Sequence, residues 1–437
     1  MKKNSFHLVS LGCAKNTVDS TSMGVRLVQA GYSFTDNPKQ AEVLIVNTCG
    51  FIKPARDEAI QTLQQLSDIK KSGQYLIAAG CMAERFSDQI MSSCPKVDGI
   101  LGTRHITDIM TLIDSLKKRV NPPSPMMTKN IAQNFSQYAV NGASAYLKIA
   151  DGCSRRCAFC SIPLIKGNWK SRPVEEILKD AELLQNMGMR ELILIAQDTT
   201  AYGQDRGEKD ALPGLIEKIL QAAPEINWLR ILYAFPGFVT DRLIDLMASN
   251  PTVLPYLDIP LQHAHPAVLK RMHRPDDMGW VRETICKMRE RIPGIAIRST
   301  FIAGFPEETD EEFMSLYDFL TEMKFDRVGV FPYYLEEGTS SAAYGDTVPE
   351  EIKTQRVDLL MRHQQEISHK VNRSFIGKKM DVLIEGRQDD RFMVGRSYRD
   401  APEIDGVVLV EGFAEVGSIV PVMIHNAMEY DLMGTRL

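Results

Sequence analysis

The sequence has no apolar run that could cross a lipid bilayer. A transmembrane helix needs about 20 consecutive apolar residues, and no stretch of the 437-residue chain provides them. The first residues, MKKNSF, lead directly into a strand-like stretch and lack the long apolar segment and small-residue cleavage site of a signal peptide. Internal repeats and low-complexity tracts are also absent. These absences argue against a membrane partner and predict a cytoplasmic protein.

An excess of basic charge is also missing. The chain has 51 Lys and Arg against 56 Asp and Glu, a net charge of -5. Proteins that bind nucleic acid usually show a basic surface, so the composition lowers that expectation but leaves a local patch open. The length predicts two or three domains. In the cytoplasm disulfides are disfavoured, so clustered cysteines more often bind metal or carry out redox chemistry.

The N-terminal segment, residues 1–120, alternates between strand-like and helix-like patterns. Short apolar runs predict strands at 6–11, 43–47 and 75–79, and helical spacing is found between them at 20–30 and 57–69. This alternation is typical of a parallel sheet with crossover helices. Residues 121–143 are rich in Pro, Asn and Ser and are interpreted as a linker.

The central segment, residues 144–372, repeats the strand–helix alternation six times. Strands are predicted at 145–150, 191–196, 229–234, 256–261, 295–303 and 327–333. Thr309 and Glu312 form a plausible capping box at the start of the last crossover helix. Six units predict an open, partial (β/α)6 barrel, because a complete parallel barrel has eight.

The C-terminal segment, residues 373–437, has a different pattern. It follows a long amphipathic helix at 350–372 and contains strand-like runs separated by Gly, Asp and Pro turns, at 380–384, 392–394, 407–410 and 419–424. We interpret it as a small all-β barrel. The predicted fold class is therefore α/β, with an N-terminal parallel α/β domain, a partial barrel and a small β domain.

The most specific motif is the cysteine spacing Cys153, Cys157 and Cys160. With eight cysteines in the chain, random placement would produce this spacing roughly 0.003 times. Structural zinc usually takes four protein ligands, and no fourth Cys or His follows closely. Three thiolates suit a [4Fe–4S] cluster with one open iron. The motif follows the first barrel strand, on the face where such folds place their active sites.

A second trio, Cys13, Cys49 and Cys81, comes at the ends of the three N-terminal strands. The carboxyl ends of parallel strands face one crevice, so these residues are expected to converge. The alternative is that each is a small buried hydrophobic residue, but their shared topological position favours a second three-cysteine cluster. Of the two other cysteines, Cys286 is predicted to be core and Cys94 to lie in a loop without an obvious partner.

The CxxxCxxC motif after the first strand of a partial barrel resembles the radical S-adenosylmethionine (SAM) superfamily. The resemblance implies that SAM chelates the open iron and that its reductive cleavage yields a radical that abstracts hydrogen from an unactivated carbon. It also implies that Gln197 and Asp198, at the end of the second barrel strand, contact the methionine amino group. Gly304 matches the glycine-containing segment under the adenine, where a glycine permits close backbone approach.

Other polar residues are assigned from the sequence pattern alone. Arg298 and Thr300 lie inside the fifth barrel strand, and a buried arginine needs a partner, for which a ligand carboxylate is a candidate. Gln262 follows the fourth strand and could line the same pocket. Lys166 and Arg172 follow the cluster loop and are expected to be solvated charges, with contact to an acidic substrate as the alternative. No catalytic residue beyond the cluster ligands is identified.

Over nearly its whole length, the chain resembles the methylthiotransferases, which combine these three segments. The C-terminal module is similar to their TRAM domain. The resemblance implies two [4Fe–4S] clusters, with SAM as both radical source and methyl donor, and the second cluster as the place that holds the transferred sulfur. It also implies an electron donor protein and a sulfur donor as partners, and it makes the C-terminal β domain a candidate for nucleic-acid contact.

The methylthiotransferases divide into two branches by substrate. The stretches QDTTAYG from Gln197, APEIDG from Ala401 and EYDL from Glu429 are similar to the branch that modifies an aspartate β-carbon of small-subunit ribosomal protein S-twelve. The substrate is then that protein or the ribosomal subunit that carries it. A tRNA adenosine methylthiotransferase of the sister branch is the first alternative. A non-catalytic iron–sulfur electron carrier is the second, although such a carrier needs no substrate cavity.

Overall fold

A computed structural model describes residues 3–118 and 136–437 of the chain. They form two compact units. The first contains the described residues of Met1–Ala139 together with Tyr146–Arg156 and Cys160–Lys170. The second contains Val140–Ala145, Cys157–Phe159 and Ser171–Leu437.

The first unit is built on a parallel five-stranded sheet. Its strands are β1 (Ser5–Ser10), β2 (Ser33–Phe34), β3 (Val43–Thr48), β4 (Tyr75–Gly80) and β5 (Gly99–Gly102), in the order β2-β1-β3-β4-β5. Every pairing is parallel, so the predicted fold of this segment is confirmed. The sequence did not indicate β2 and β5, because one has two residues and the other is a short run between glycines.

Helices cover both faces of this sheet. They are α1 (Ala14–Gln29), α2 (Lys53–Ile69), α3 (Cys81–Arg85), α4 (Ser87–Ser93), α5 (Ile109–Lys118) and α6 (Ile162–Lys166). Successive side chains of a strand point to opposite faces. Accordingly, Val43 and Ile45 pack in the core with α1 and α5, whereas Leu44 and Val46 pack with α2 and α4. A strand buried on both faces is an almost continuous apolar run, as the sequence shows here.

Seven strands form the sheet of the partial barrel. They are β6 (Tyr138–Asn141), β7 (Ser144–Lys148), β10 (Glu191–Ile195), β11 (Trp228–Ile231), β12 (Val253–Asp258), β13 (Ala296–Ala303) and β14 (Arg327–Pro332), in the order β14-β13-β12-β11-β10-β7-β6. Between β7 and β10 the chain forms a separate two-stranded sheet of β8 (Ala150–Asp151) and β9 (Lys170–Ser171). The six predicted strands are all present, and β10 to β14 pair in parallel.

The seventh strand, β6, lies in the stretch that was predicted to be a linker. Residues 119–135 of that stretch are outside the described residues. The remaining part contains Tyr138–Asn141, which forms the edge strand beside β7. A four-residue strand in a Pro- and Asn-rich context has too little periodicity to be recognised from the sequence.

The helices of the second unit follow its strands, as expected for a β/α barrel. They are α7 (Val174–Asn186), α8 (Ala211–Ala222), α9 (Asp241–Ser249), α10 (Pro266–Arg271), α11 (Met278–Arg291), α12 (Asp310–Met323) and α13 (Glu350–Arg373). The predicted capping box of α12 is confirmed: the Thr309 hydroxyl accepts the Glu312 N–H, and the Glu312 carboxylate accepts the Thr309 N–H. Within the described ranges, no helix has the length and apolar character needed to span a bilayer.

The C-terminal residues form a closed five-stranded barrel. Its strands are β15 (Lys379–Arg387), β16 (Phe392–Ser397), β17 (Val408–Glu411), β18 (Ile419–Ala427) and β19 (Leu432–Arg436), in the order β15-β16-β17-β19-β18. The predicted small β barrel is confirmed, with β19 as an unpredicted fifth strand. A buried ion pair joins it to the partial barrel within the second unit: Glu191 of β10 lies 2.7 Å from Arg396 of β16 and is also paired with Arg230 of β11 at 2.7 Å.

Candidate metal centre and active site

Three cysteines of the first unit lie at the carboxyl ends of three neighbouring strands. Cys13 follows β1 and precedes α1, Cys49 directly follows β3, and Cys81 follows β4 as the first residue of α3. The strands are adjacent in the order β1-β3-β4. Parallel strands bring their carboxyl ends to one edge of the sheet, so the topology places all three cysteines there, as the sequence predicted.

Close contacts show that the three cysteines converge. A Cβ on Gly12, whose φ is +92°, would lie 2.9 Å from Cys49 Cβ and 3.1 Å from Cys49 Sγ, so the residue before Cys13 touches the second cysteine. Burial raises the pKa of the Cys81 thiol to about 12, and the neighbouring Cys13 and Cys49 contribute to that rise. Burial also raises the pKa of Cys49, with a contribution from Cys13.

One buried side chain connects all three loops that carry these cysteines. Asn16 Nδ2 donates to the carbonyl of Leu11 at 2.8 Å and to that of Thr48 at 3.2 Å. The Cys81 thiol donates to Asn16 Oδ1 at 3.4 Å. Asn16 therefore contacts a backbone carbonyl shortly before Cys13, the one directly before Cys49, and the Cys81 thiol itself. Asn16 was not predicted from the sequence, where its position three residues after Cys13 was the only available signal.

The donor set of this edge consists of thiols. Three thiols without a fourth protein ligand suit a [4Fe–4S] cluster that keeps one iron open.

Lys166 is not the solvated charge that the sequence suggested. Its side chain is only 3% exposed, and its ammonium lies 2.7 Å from Asp19 Oδ2. Arg172, also expected to be solvated, is mostly buried and forms an ion pair with Asp180 at 2.7 Å. The partner of Lys166 is 147 residues away in the chain and that of Arg172 is eight residues away on the following helix, so neither pairing follows from a local sequence pattern.

The CxxxCxxC motif lies in the loop that follows β7 and β8. Cys153 is buried, and its N–H donates to the carbonyl of Gly167 at 3.0 Å. Cys157 and Cys160 are partly exposed. Cys157 Sγ accepts a hydrogen bond from Arg274 Nη1 at 3.7 Å. Arg274 thus places a cationic hydrogen-bond donor at the sulfur of a predicted cluster ligand, the kind of contact that orients metal ligands.

The polar residues predicted after the second and fourth barrel strands lie where expected. Gln197 and Asp198 follow the end of β10, and Asp198 is buried, with its carboxylate accepting from the Thr200 hydroxyl. Gln262 follows β12 with a φ of +77°. Its N–H donates to the carbonyl of Thr300 at 2.8 Å, so Thr300 contacts Gln262 through its backbone.

Side chains of the long helix α13 pack against the glycine segment after β13. Gly304 has a φ of +73°, and a Cβ there would collide with the side chain of Lys353. Glu308 accepts from the Gly304 N–H at 2.6 Å, from His263 Nε2 at 2.9 Å and from Arg356 Nη1 at 2.5 Å. The close approach that requires a glycine is thus to Lys353. Neither Lys353 nor Arg356 could be identified from the sequence, because both read as charges on an amphipathic helix.

Arg298 has carboxylates of the protein as its partners. It lies near the start of β13, whereas Gly304 follows the opposite end of that strand. Its guanidinium contacts Asp258 at 2.9 Å and Asp405 at 3.4 Å. Tyr256 donates its hydroxyl hydrogen to Asp405 at 2.7 Å. The structure gives no support for a ligand carboxylate at Arg298, and Asp405 of the APEIDG stretch serves here to attach the C-terminal barrel.

Of the two remaining cysteines, Cys286 differs from expectation, whereas Cys94 lies in the loop after α4 as predicted. Cys286, predicted to be core, is exposed on α11, because it lies on the face of the helix opposite to Ile285 and Met288, which are buried. Cys94 is buried in the core that covers α2, and its thiol lies 3.8 Å from the carbonyl of Ile60.

Comparisons with known proteins agree with this architecture. Three family descriptions match successive parts of the chain: Uncharacterized protein family UPF0004 at residues 5–102, Radical SAM superfamily at 147–320, and TRAM domain at 376–437. Ribosomal protein uS12 methylthiotransferase RimO of Roseiflexus sp. (strain RS-1) is 43% identical over 98% of this chain and 96% of its own length. The chain belongs to the RimO family. The RimO protein of Chloroflexus aurantiacus is also 43% identical, over 99% of both chains.

Solved structures share the fold of this RimO-family chain at low sequence identity. The radical S-adenosylmethionine methyltransferase TsrM from Kitasatospora setae has a TM-score of 0.57 and 12% identity, covering 90% of this chain and 77% of its own. The cobalamin-dependent S-adenosylmethionine radical enzyme OxsB has a TM-score of 0.53 and 13% identity, covering 84% and 56%. At these identities the likeness extends to the fold alone.

Proposed function

We propose that this chain is a radical SAM methylthiotransferase that inserts sulfur into the β-carbon C–H bond of an aspartate in ribosomal protein uS12 and methylates that sulfur. The observation that carries the proposal is the 43% identity, over nearly full length, to proteins named for this activity. The tRNA-modifying alternative has no comparable support. The electron-carrier alternative is disfavoured because the polar strand ends described above imply a substrate site.

In this proposal the two cysteine trios hold two [4Fe–4S] clusters. Cys153, Cys157 and Cys160 ligate the radical-generating cluster, while the trio at the carboxyl edge of the N-terminal sheet, Cys13, Cys49 and Cys81, ligates the second. When bound, a reduced cluster and SAM supply a radical that removes hydrogen from an unactivated carbon. The chain's own contribution is to hold the thiolates, orient SAM and substrate, and exclude water.

The residues proposed to orient SAM come from three strand ends of the partial barrel. Gln197 and Asp198 follow β10, Gln262 follows β12, and Gly304 follows β13. Their backbone is firmly held: Gln262 by the Thr300 carbonyl and Gly304 by Glu308. We do not assign Arg298 to this group, because its charge is already matched by Asp258 and Asp405.

The proposed reaction needs partners that the chain itself does not supply. An electron donor protein must reduce the cluster, and a sulfur donor must replace the sulfur transferred in each turnover. Ribosomes supply the substrate, so the proposed location is the cytoplasm. The closed C-terminal barrel, which matches the TRAM domain, is the proposed contact to ribosomal RNA beside uS12.

A deletion strain tests the substrate assignment. Ribosomal protein uS12 and total tRNA are isolated from the parent, the deletion strain and the strain complemented with Cys153→Ala. Mass spectrometry should show that the methylthio group is lost from the uS12 aspartate in the deletion strain, is not restored by Cys153→Ala, and is unchanged on tRNA adenosines. The proposal would be contradicted if the deletion strain lost the methylthio group from tRNA while uS12 kept the same methylthio level as in the parent.

A further inference from the structure

A network of four charges, three of them buried, lies beside the N-terminal cysteine trio. Lys166 Nζ is 2.7 Å from Asp19 and 3.5 Å from Asp151. Lys148 Nζ is 2.9 Å from the same Asp19 and 3.3 Å from the same Asp151. The two lysine side chains are 3% and 4% exposed, and Thr103 donates its hydroxyl hydrogen to Asp19 at 3.2 Å. Two cations and two carboxylates thus contact one another within the first unit.

Stability alone is a weak explanation for this network. Removing three charges from water has a large desolvation cost, and replacing a buried ion pair by packed apolar side chains is often neutral or stabilising. Lysine is rarely buried unless it is paired. A network that does not maximise stability, located next to three convergent thiols, therefore indicates an electrostatic role toward what those thiols bind.

The position of Lys166 indicates that this electrostatic role concerns the second cluster. Helix α6, which ends at Lys166, packs against α3, which begins at Cys81. Asn16, which accepts from the Cys81 thiol at 3.4 Å, and Asp19, which lies 2.7 Å from the Lys166 ammonium, are three residues apart on α1. Residues three apart on a helix share one face, so the ammonium lies on the side of α1 that faces Cys81.

We propose that Lys166 is a positioning residue that places a fixed positive charge against the second cluster and raises its reduction potential. This inference rests on the proposed second cluster. Reduction adds one negative charge to a cluster that already has thiolate ligands, and a nearby buried cation stabilises that charge through a medium that screens it poorly. Asp19 has the opposite electrostatic effect and also holds the ammonium in place.

The test isolates the second cluster in the full-length chain. In a background with Cys153→Ala, Cys157→Ala and Cys160→Ala, anaerobic reconstitution should leave about four irons per chain. Redox titration followed by electron paramagnetic resonance then gives the midpoint potential of this cluster. Lys166→Met should lower it, Lys166→Arg should keep it near the background value, and Asp19→Asn should raise it. Lys39→Met, at an exposed position, should have no effect.

The outcomes separate this inference from the proposed function. Equal potentials in Lys166→Met and the background, or shifts of the same sign in Lys166→Met and Asp19→Asn, would overturn it while leaving the methylthiotransferase assignment intact. If Lys166→Met binds no iron, the two other variants decide. The inference then requires a raised midpoint potential in Asp19→Asn and an unchanged midpoint potential in Lys166→Arg. A background protein without iron would overturn both this inference and the second cluster, but not the cluster at Cys153.

Discussion

Gly12 and Cys49 are in such close contact that a single added carbon on Gly12 would lie 2.9 Å from the Cβ of Cys49. The two residues come from the loops after β1 and β3. Because Gly12 also has a φ of +92°, no other residue fits this position without moving the backbone next to Cys13. The packing of the two loops therefore sets the spacing between two proposed cluster ligands.

Gly12→Ala should reduce iron binding at the second cluster. The substitution adds both the strain of a positive φ, about 1–2 kcal/mol, and a clash with Cys49. Gly31→Ala is a matched control, because Gly31 has a φ of +86° but open space around the added Cβ. Iron analysis after anaerobic reconstitution should show a loss of up to half of the iron in Gly12→Ala only. Equal iron in both variants would show that the contact does not position the ligands.

Single cysteine substitutions should separate the two clusters. Cys81→Ala should lower the iron content from about eight to about four per chain and leave the reductive cleavage of SAM to 5′-deoxyadenosine measurable. Cys157→Ala should abolish that cleavage. Cys286→Ala, at the exposed cysteine on α11, serves as the control and should change neither. An iron content unaffected by Cys81→Ala would contradict the second cluster.

Glu308→Gln should destabilise the second unit markedly. The carboxylate is buried, lies 2.5 Å from Arg356 and also accepts from His263 and the Gly304 N–H. Removing its charge leaves the buried Arg356 with only the exposed Asp310 carboxylate, at 2.7 Å, as an ionic partner among the contacts described, and breaking a buried ion pair typically costs about 3–5 kcal/mol. Chemical denaturation measures the free energy of unfolding. Glu307→Gln, at the exposed neighbouring position, should have little effect; equal losses in both variants would contradict the role of Glu308.

The attachment of the C-terminal barrel should weaken in acid. Burial alone would raise the pKa of Glu191, but Arg230 and Arg396 outweigh burial and lower that pKa to about 2. Since this pKa is lower in the folded than in the unfolded state, the stabilisation is complete above about pH 4.5 and is lost as the pH falls toward 2. The difference in unfolding free energy between the wild type and Glu191→Gln should therefore shrink from pH 5 to pH 2. A constant difference, or an equal effect of exposed Glu182→Gln, would contradict this account.

The convergence of Cys13, Cys49 and Cys81 could be predicted because it depends only on strand order and direction. Each residue follows an apolar run of strand length, and parallel strands align their carboxyl ends. The same reasoning placed Gln197 and Gln262 at strand ends. Local sequence patterns were therefore sufficient to predict most of the fold and the candidate cluster ligands.

The partners of the buried charges could not be predicted. Lys166 and its partner Asp19 are 147 residues apart in the chain, and Arg298 meets Asp405 of the C-terminal barrel. Both lysine and arginine are usually solvated, so the sequence favoured exposure for Lys166 and a ligand for Arg298. Only the packing of separate elements shows that each has a carboxylate of the protein beside it.

The most direct test of the central claim uses the reconstituted chain with purified uS12, SAM, a reductant and a sulfide source under anaerobic conditions. Mass spectrometry of the digested uS12 should show a methylthio group on one aspartate, formed by the wild type and absent with Cys13→Ala or Cys153→Ala. The account would be contradicted by uS12 that stays unmodified while adenosines of added tRNA acquire the methylthio group.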